Sequence, residues 1–507
     1  MAGIAFELIL IFYRKRQASR HAHVLRFAAW ALRPWVLWAC FNLVFRWNRE
    51  RGFNNPRTFP FFANLWSESE TFFEALSRII QLPALPVWGC VSLGALIAMI
   101  LLLVRVVRCE HVHIWPALAG LYVLTIILHL SQASLPDGAW PSGSNPGSLL
   151  SSAKANTGML YTMSYVHGTH DYLSRFLEIQ PKLRTTIHGV SHPPGASLSL
   201  YWIGRIFGVE SKDIRCPENR FRYILGLTVF GALNVGIIFL LAQSLFGRKA
   251  GFLAATLWAA APSVSAYSTF AQDSIYALFF NLALLLSWHV VMSEKRTKLF
   301  AALLGFDFFA MTMLNYSWCI MTTVFLVFAL FIGRRRGWPL KEYAVRSILP
   351  LALMAALLSG FLAFYRLDYL AMYRFSKQYV NQWYVFESAY QWIMALIGGQ
   401  MDLFLLMGSV TCSAFFAAAA GLKRRHLNDP RVIFIIVVFG VYALPILFGP
   451  TCLKMEAARC WNWIATLPFA FATAQLLKMP HRIFVYGAPV VSVLTYTVMR
   501  LFLNFAP

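Results

Sequence analysis

Apolar stretches of about 18 or more residues recur along the whole chain, and each is long enough to cross a hydrocarbon core of about 30 Å at about 1.5 Å per helical residue. The stretch from Ile348 to Tyr365 is apolar on nearly every face. Strands of a membrane barrel alternate apolar and polar residues, so this pattern excludes a barrel and predicts helices. Composition agrees: 59% of the 507 residues are hydrophobic and only 13% are charged, where soluble domains carry about 25% charged residues. The expected fold class is all-α and polytopic, a multi-pass integral membrane protein with about twelve or thirteen spans. The predicted spans are 27–46, 86–107, 114–133, 223–246, 250–267, 274–292, 299–315, 317–333, 347–365, 402–421, 431–449, 461–478 and 483–503.

The formal charge of +23 would point to nucleic acid in a soluble protein. Here the basic residues fall in short clusters between apolar runs, which makes them topology signals, and no nucleic-acid partner is expected. Clusters within 105–108, 248–249, 295–298, 334–346, 423–431 and 478–482 occupy every second connection. Those connections are expected on the cytoplasmic side. The segments 134–222, 268–273, the turn near 316, 366–401 and 450–460 are then extracytoplasmic, with the plasma, inner or endoplasmic reticulum membrane as the host. Segment 27–46 holds Arg33 and Pro34 between basic flanks and reads either as a span or as an interfacial helix. The chain divides into an N-terminal extension, 1–110, with one or two membrane segments, and a transmembrane catalytic domain, 111–507. Met1 to Tyr13 is followed, not preceded, by Arg14, Lys15 and Arg16, so a retained N-terminus is expected. The eight cysteines show no CxxC spacing, and only Cys452 and Cys460 share an outer loop in which a disulfide would be available.

A chain with most of its mass in spans must do its chemistry in the remaining polar material, and the largest block of it is 134–222. The block opens on turn formers around Asp137 and carries His167, His170, Asp171, Glu178, Lys182, Arg184, His188 and His192. Residues 193–207 read as a short surface helix with Pro193 and Pro194 at its start, where a missing N–H costs nothing. Asp137 is either a turn residue in Pro136-Asp137-Gly138 or a reactive acid. Asp171 and Asp273 both have an ordinary explanation as helix caps. Asp307 lies inside a span, where a carboxylate is a candidate for function or pairing. His188 and His192 are four apart, but Gly189 and the two prolines disfavour a chelating helix there, and no metal is expected. Lys454, Glu456 and Arg459 cluster where a late span begins. They suit interfacial anchoring, and equally a phosphate clamp in which Glu456 orients the Arg459 fork. Arg374 and Lys377 lie on the same face among aromatic residues.

Taken in order along the chain, these features resemble the GT-C superfamily of integral-membrane glycosyltransferases, in its protein mannosyltransferase and aminoarabinose transferase branch. The resemblance rests on Asp137 at the head of a large outer loop and on His192-Pro193-Pro194-Gly195 opening a surface helix. Further support comes from Phe246-Gly247-Arg248-Lys249-Ala250-Gly251 between two spans, Ala261-Pro262-Ser263 closing the second, and the Glu456-x-x-Arg459-x-Trp461 element. It covers roughly residues 114–480. Many relatives carry a pair of acids where this chain has Asp137 followed by Gly138. The resemblance implies a GT-C-like bundle whose large outer loop bears short surface helices. It implies transfer of a sugar from a polyprenyl-phosphate donor to a hydroxyl of a glycan, lipid or protein acceptor among the membrane lipids, without a cofactor or obligatory metal. It implies Asp137 as general base with Asp171 in reserve, and substrate contacts from Arg184, His188, His192, Pro193, Asp273, Lys454, Glu456 and Arg459. Two rivals stand beside it: a secondary transporter or lipid flippase, which would show broken or charged spans at mid-membrane, and a metallohydrolase built on His188, His192 and Asp171.

Overall fold

A computed structural model describes residues 20–49, 84–135, 162–185, 187–209, 217–269, 272–383, 388–448 and 463–502. Among them every regular element is a helix. The first three are α1 (Arg20–Arg49), α2 (Ala84–Arg108) and α3 (Ile114–Ala133). Short helices follow: α4 (Thr169–Ser174), α5 (Phe176–Ile179), α6 (Ile187–Ser191) and α7 (Pro194–Ile206). The central bundle comprises α8 (Pro217–Ala232), α9 (Asn234–Phe246), α10 (Arg248–Ala259), α11 (Pro262–Ser268), α12 (Asp273–Met292), α13 (Thr297–Leu314) and α14 (Trp318–Arg336). Then come α15 (Leu340–Tyr343), α16 (Leu349–Tyr365), α17 (Tyr369–Trp383), α18 (Ala389–Leu406), α19 (Ser409–Ala420), α20 (Pro430–Phe448), α21 (Thr466–Lys478) and α22 (Ile483–Phe502).

Eight helices among the described residues are long and apolar enough to cross a membrane, and a bent pair makes a ninth. This is a polytopic all-α membrane protein. Of the thirteen expected spans, eight meet that test whole, two are broken, and 27–46, 461–478 and 483–503 fall short of it among the described residues. Segment 250–267 divides at Ala260 and Ala261 because Pro262 cannot continue a helix but can start one, giving α10 and the short α11. Segment 402–421 divides at Gly408, whose φ of +99° no L side chain readily adopts, and the two arms meet at 107°. Segment 461–478 is described from Trp463, and its helix α21 starts at Thr466. Segment 27–46 lies on α1, which runs unbroken through Arg33 and Pro34 and packs on α19, where the Ser413 hydroxyl donates to the Trp30 carbonyl at 2.9 Å. Cys452 and Cys460 lie outside the described residues.

Basic side chains gather at one end of the bundle and satisfy the last carbonyls of its helices, the groups a helix C-terminus leaves unpaired. The Arg346 guanidinium donates to the carbonyls of Val290, Val291 and Ser293 at the close of α12, and pairs with Glu342. Arg431 does the same for Leu245 in α9 while pairing with Asp429, whose carboxyl that guanidinium holds below its ordinary value. Arg248 donates to the carbonyls of Val112 and Glu110. This basic end fixes the direction of the helices that start or stop there, so α3, α10 and α13 end, and α12 begins, at the far end.

Candidate functional site

The far end is organised by the start of α7. Pro193 is the N-cap with an extended backbone, and Pro194 is the first helical residue. A Cβ on Gly195 would run into the Met313 carbonyl in the last turn of α13, so only glycine lets the first turn of α7 rest there. Ile203 on the buried face of α7 meets Gly226 of α8 in the same way, since a Cβ at Gly226 would stand 2.5 Å from its Cγ2. The opposite face of α7 carries the exposed Trp202 and Ile206. That is the amphipathic surface helix the sequence predicts over 193–207.

This docking holds His192 against the first turn of α12. Its Nδ1 lies 2.9 Å from the Ser191 hydroxyl, and its ring stacks on Tyr276 with centroids 5.4 Å apart and planes 20° from parallel. Tyr276 stands in the first turn of α12 and its hydroxyl donates to the Gln272 side-chain oxygen. Asp273 is the first residue of that same turn and is buried, with 8% of its surface exposed. An acid at this position is favoured by the helix dipole. Gln272 takes the N-cap position, so Asp273 is inside the helix and is not its cap.

The last turns of α3 come to the same place. His129 is fully buried and its Nε2 donates to the Ala259 carbonyl at 2.8 Å, fastening α3 to the junction of α10 and α11. One turn further out, both polar atoms of the Gln132 side chain are buried without a hydrogen-bond partner among the described residues. The Ser265 and Thr269 hydroxyls, the Gln272 Nε2 and the Ser274 hydroxyl share that condition. These are the residues that sequence reasoning missed. The available signal was the run of amides and hydroxyls that ends one apolar segment and begins another.

Described residues between 166 and 190 form a second apolar cluster in which Tyr172, Phe176, Leu183 and Val190 pack against Met372 and Tyr379 of α17. Gln180 ties it together, donating to the Val190 and Met372 carbonyls and to the Ser376 hydroxyl. Tyr316 lies beside Ser376, and burial pushes its phenol up to about 12 against smaller opposing hydrogen bonds. Asp171 sits on α4 behind the N-cap residue Gly168 and pairs with Arg175 at 3.5 Å on a half-exposed surface. Arg184 falls in the turn Gln180–Thr185 and His188 on α6, but the side chains of both are outside the described residues. So are Asp137, Lys454, Glu456 and Arg459 altogether. Asp307 is buried within α13, and neither carboxylate oxygen meets a hydrogen-bond partner among the described residues. The structure therefore sets His192 and Pro193 against the α12 turn that holds Asp273, while Asp171 pairs with Arg175 on the helix beside the neighbouring apolar cluster.

An all-helical membrane bundle, with buried polar residues gathered at the far ends of several helices among the described residues, defines the general class. Its chemistry comes from a comparison: residues 191–359 match the family model for dolichyl-phosphate-mannose-protein mannosyltransferase. The match covers about a third of the chain, from Ser191 just before the α7 start into α16, and is narrower than the 114–480 of the sequence resemblance. It supports a GT-C membrane glycosyltransferase of the kind that uses polyprenyl-phosphate sugar donors. No curated protein matches the chain.

Proposed function

We propose that the protein moves a sugar from a polyprenyl-phosphate carrier to an acceptor hydroxyl on a glycan, lipid or protein at the extracytoplasmic membrane face, with Asp137 as general base. In this reaction the acceptor oxygen attacks the anomeric carbon, its proton passes to the Asp137 carboxylate, and the bond from that carbon to the phosphate oxygen breaks. The carrier leaves as an anionic phosphate, so a nearby cation stabilises the developing charge. Arg459 fills that role first, with Lys454 and Arg184 next to it in rank, and Glu456 orients the guanidinium. Because these cations can supply the electrostatic assistance, we propose that transfer needs no metal.

The observation that carries this reading is the stacking of His192 on Tyr276, which sets the start of α7 against the turn of α12 that holds Asp273. The chain's connectivity supports it. Asp137 follows the buried Leu135 by two residues, a reach of about 7 Å at about 3.5 Å per residue. Arg459 precedes Trp463 by four, a reach of about 14 Å, and Trp463 stacks on Phe280 of α12 with centroids 4.7 Å apart. Asp171, engaged with Arg175, is the poorer base. Asp137→Asn is expected to lower transfer by about 10²–10⁴-fold, the usual worth of a general base, with folding and donor binding intact. Full activity of that variant in reconstituted vesicles would end the assignment.

A further inference from the structure

We propose that the buried polar side chains at the far ends of α3, α11 and α12, led by Gln132, Thr269 and Gln272, form the subsite that takes the hydroxyl groups of the donor's sugar. The inference rests on the transferase reading and adds to it the residues that tell a sugar-loaded carrier from a bare one.

The first support is the concentration of unmet hydrogen-bonding capacity. Ser265, Thr269, Gln272 and Ser274 fall within ten consecutive residues, and each keeps a buried polar atom without a partner among the described residues. Gln132 adds two more such atoms. A buried donor or acceptor left unpaired costs stability, and although such atoms also occur elsewhere in the bundle, six of them where three helix ends meet call for a partner from outside the chain. The second support is convergence. The His129 bond to the Ala259 carbonyl locks the last turns of α3 onto the residues that lead into α11, and α11 leads directly into α12. Chemistry is the third. The set combines amides and hydroxyls, which both donate and accept, and it includes no lysine or arginine. Such groups match the alternating donors and acceptors of a sugar and are poorly suited to a phosphate. Gln272 shows the division within one side chain: its oxygen is engaged by Tyr276, and its Nε2 is left over.

The test measures binding of the purified full-length protein to bare polyprenyl phosphate and to polyprenyl phosphate carrying mannose, glucose, galactose or arabinose. At least one sugar should tighten binding by about tenfold or more over the bare carrier. Gln132→Met and Thr269→Val keep side-chain volume and remove hydrogen-bonding groups. Each should reduce that ratio about fivefold to tenfold, in line with the loss of one or two hydrogen bonds, while affinity for the bare carrier stays within about twofold. Each should also raise the melting temperature of the ligand-free protein, because an apolar group in place of an unpaired polar one relieves a cost. A purely structural role would lower it. The proposal is overturned if no sugar improves on the bare carrier, if both variants keep the wild-type ratio, or if both melt earlier than wild type. Failure of the wild-type protein to bind even the bare carrier would instead bring down the transferase reading beneath it.

Discussion

Two sets of buried polar side chains share this bundle and are treated in opposite ways. Inside it, Asn281 donates to the Asn234 side-chain oxygen at 2.7 Å, Thr466 donates to the Asn281 oxygen at 2.7 Å, and Asn234 donates in turn to the Gly231 and Ser274 carbonyls. That chain of bonds joins α9, α12 and α21 and ends on backbone carbonyls. At the far end, Gln132, Ser265, Thr269, Gln272 and Ser274 are as deeply buried and remain open. Residue type does not separate the two sets, since both are amides and hydroxyls. Closure does: a satisfied buried network fastens helices where few apolar forces distinguish one packing from another, and in the proposal above a ligand completes the open one.

Substitutions distinguish the two sets. The largest effect is expected on the functional side: Arg459→Ala should weaken donor binding and lower transfer by about 10²–10³-fold, the scale of losing one transition-state electrostatic contact, with thermal stability unchanged. Unaltered donor affinity would remove the phosphate clamp. On the scaffold side, Asn281→Leu should do the reverse. It strands Asn234 and Thr466, and should cost about 1–3 kcal/mol in denaturant titrations of the detergent-solubilised protein. A variant as stable as wild type would show that the closed network is not a fastening. Gly195→Ala lies between the two, because its Cβ meets the Met313 carbonyl. A loss of about 1–3 kcal/mol from overpacking is expected, with reduced transfer as α7 lifts from α13; wild-type values for both would remove the close approach from the account. The smallest effect is on metal: transfer rates before and after chelation with EDTA should agree.

Eight of the thirteen expected spans were legible because an apolar run of membrane length has one physical solution, and the α7 start was legible because two prolines and a glycine leave a helix few ways to begin. The break at Gly408 was not, because a glycine in an apolar run is neutral until the backbone around it is known. Its positive φ, with Ser492 packed where a Cβ would go, appears only in the fold. The site divided along similar lines. His192 and Asp273 stand out by residue type in a chain this poor in charge, whereas Gln132 and Thr269 are ordinary residues marked only by burial without a partner. The aromatic loop 366–401 showed its Arg374 and Lys377 but not that α17 would turn Met372 and Tyr379 inward to hold the outer-loop cluster. That placement depends on Gln180, almost two hundred residues away.

The central claim is that a glycosyl–phosphate bond is broken here. The most direct measurement follows a radiolabelled polyprenyl-phosphate sugar in proteoliposomes containing the purified protein, with cell-envelope extract as the source of acceptor. The account predicts that label passes to the acceptor as bare polyprenyl phosphate accumulates, and that Asp137→Asn stops both. Labelled donor that crosses to the other leaflet with its glycosyl–phosphate bond intact, in wild type and variant alike, would contradict it and identify a lipid flippase instead.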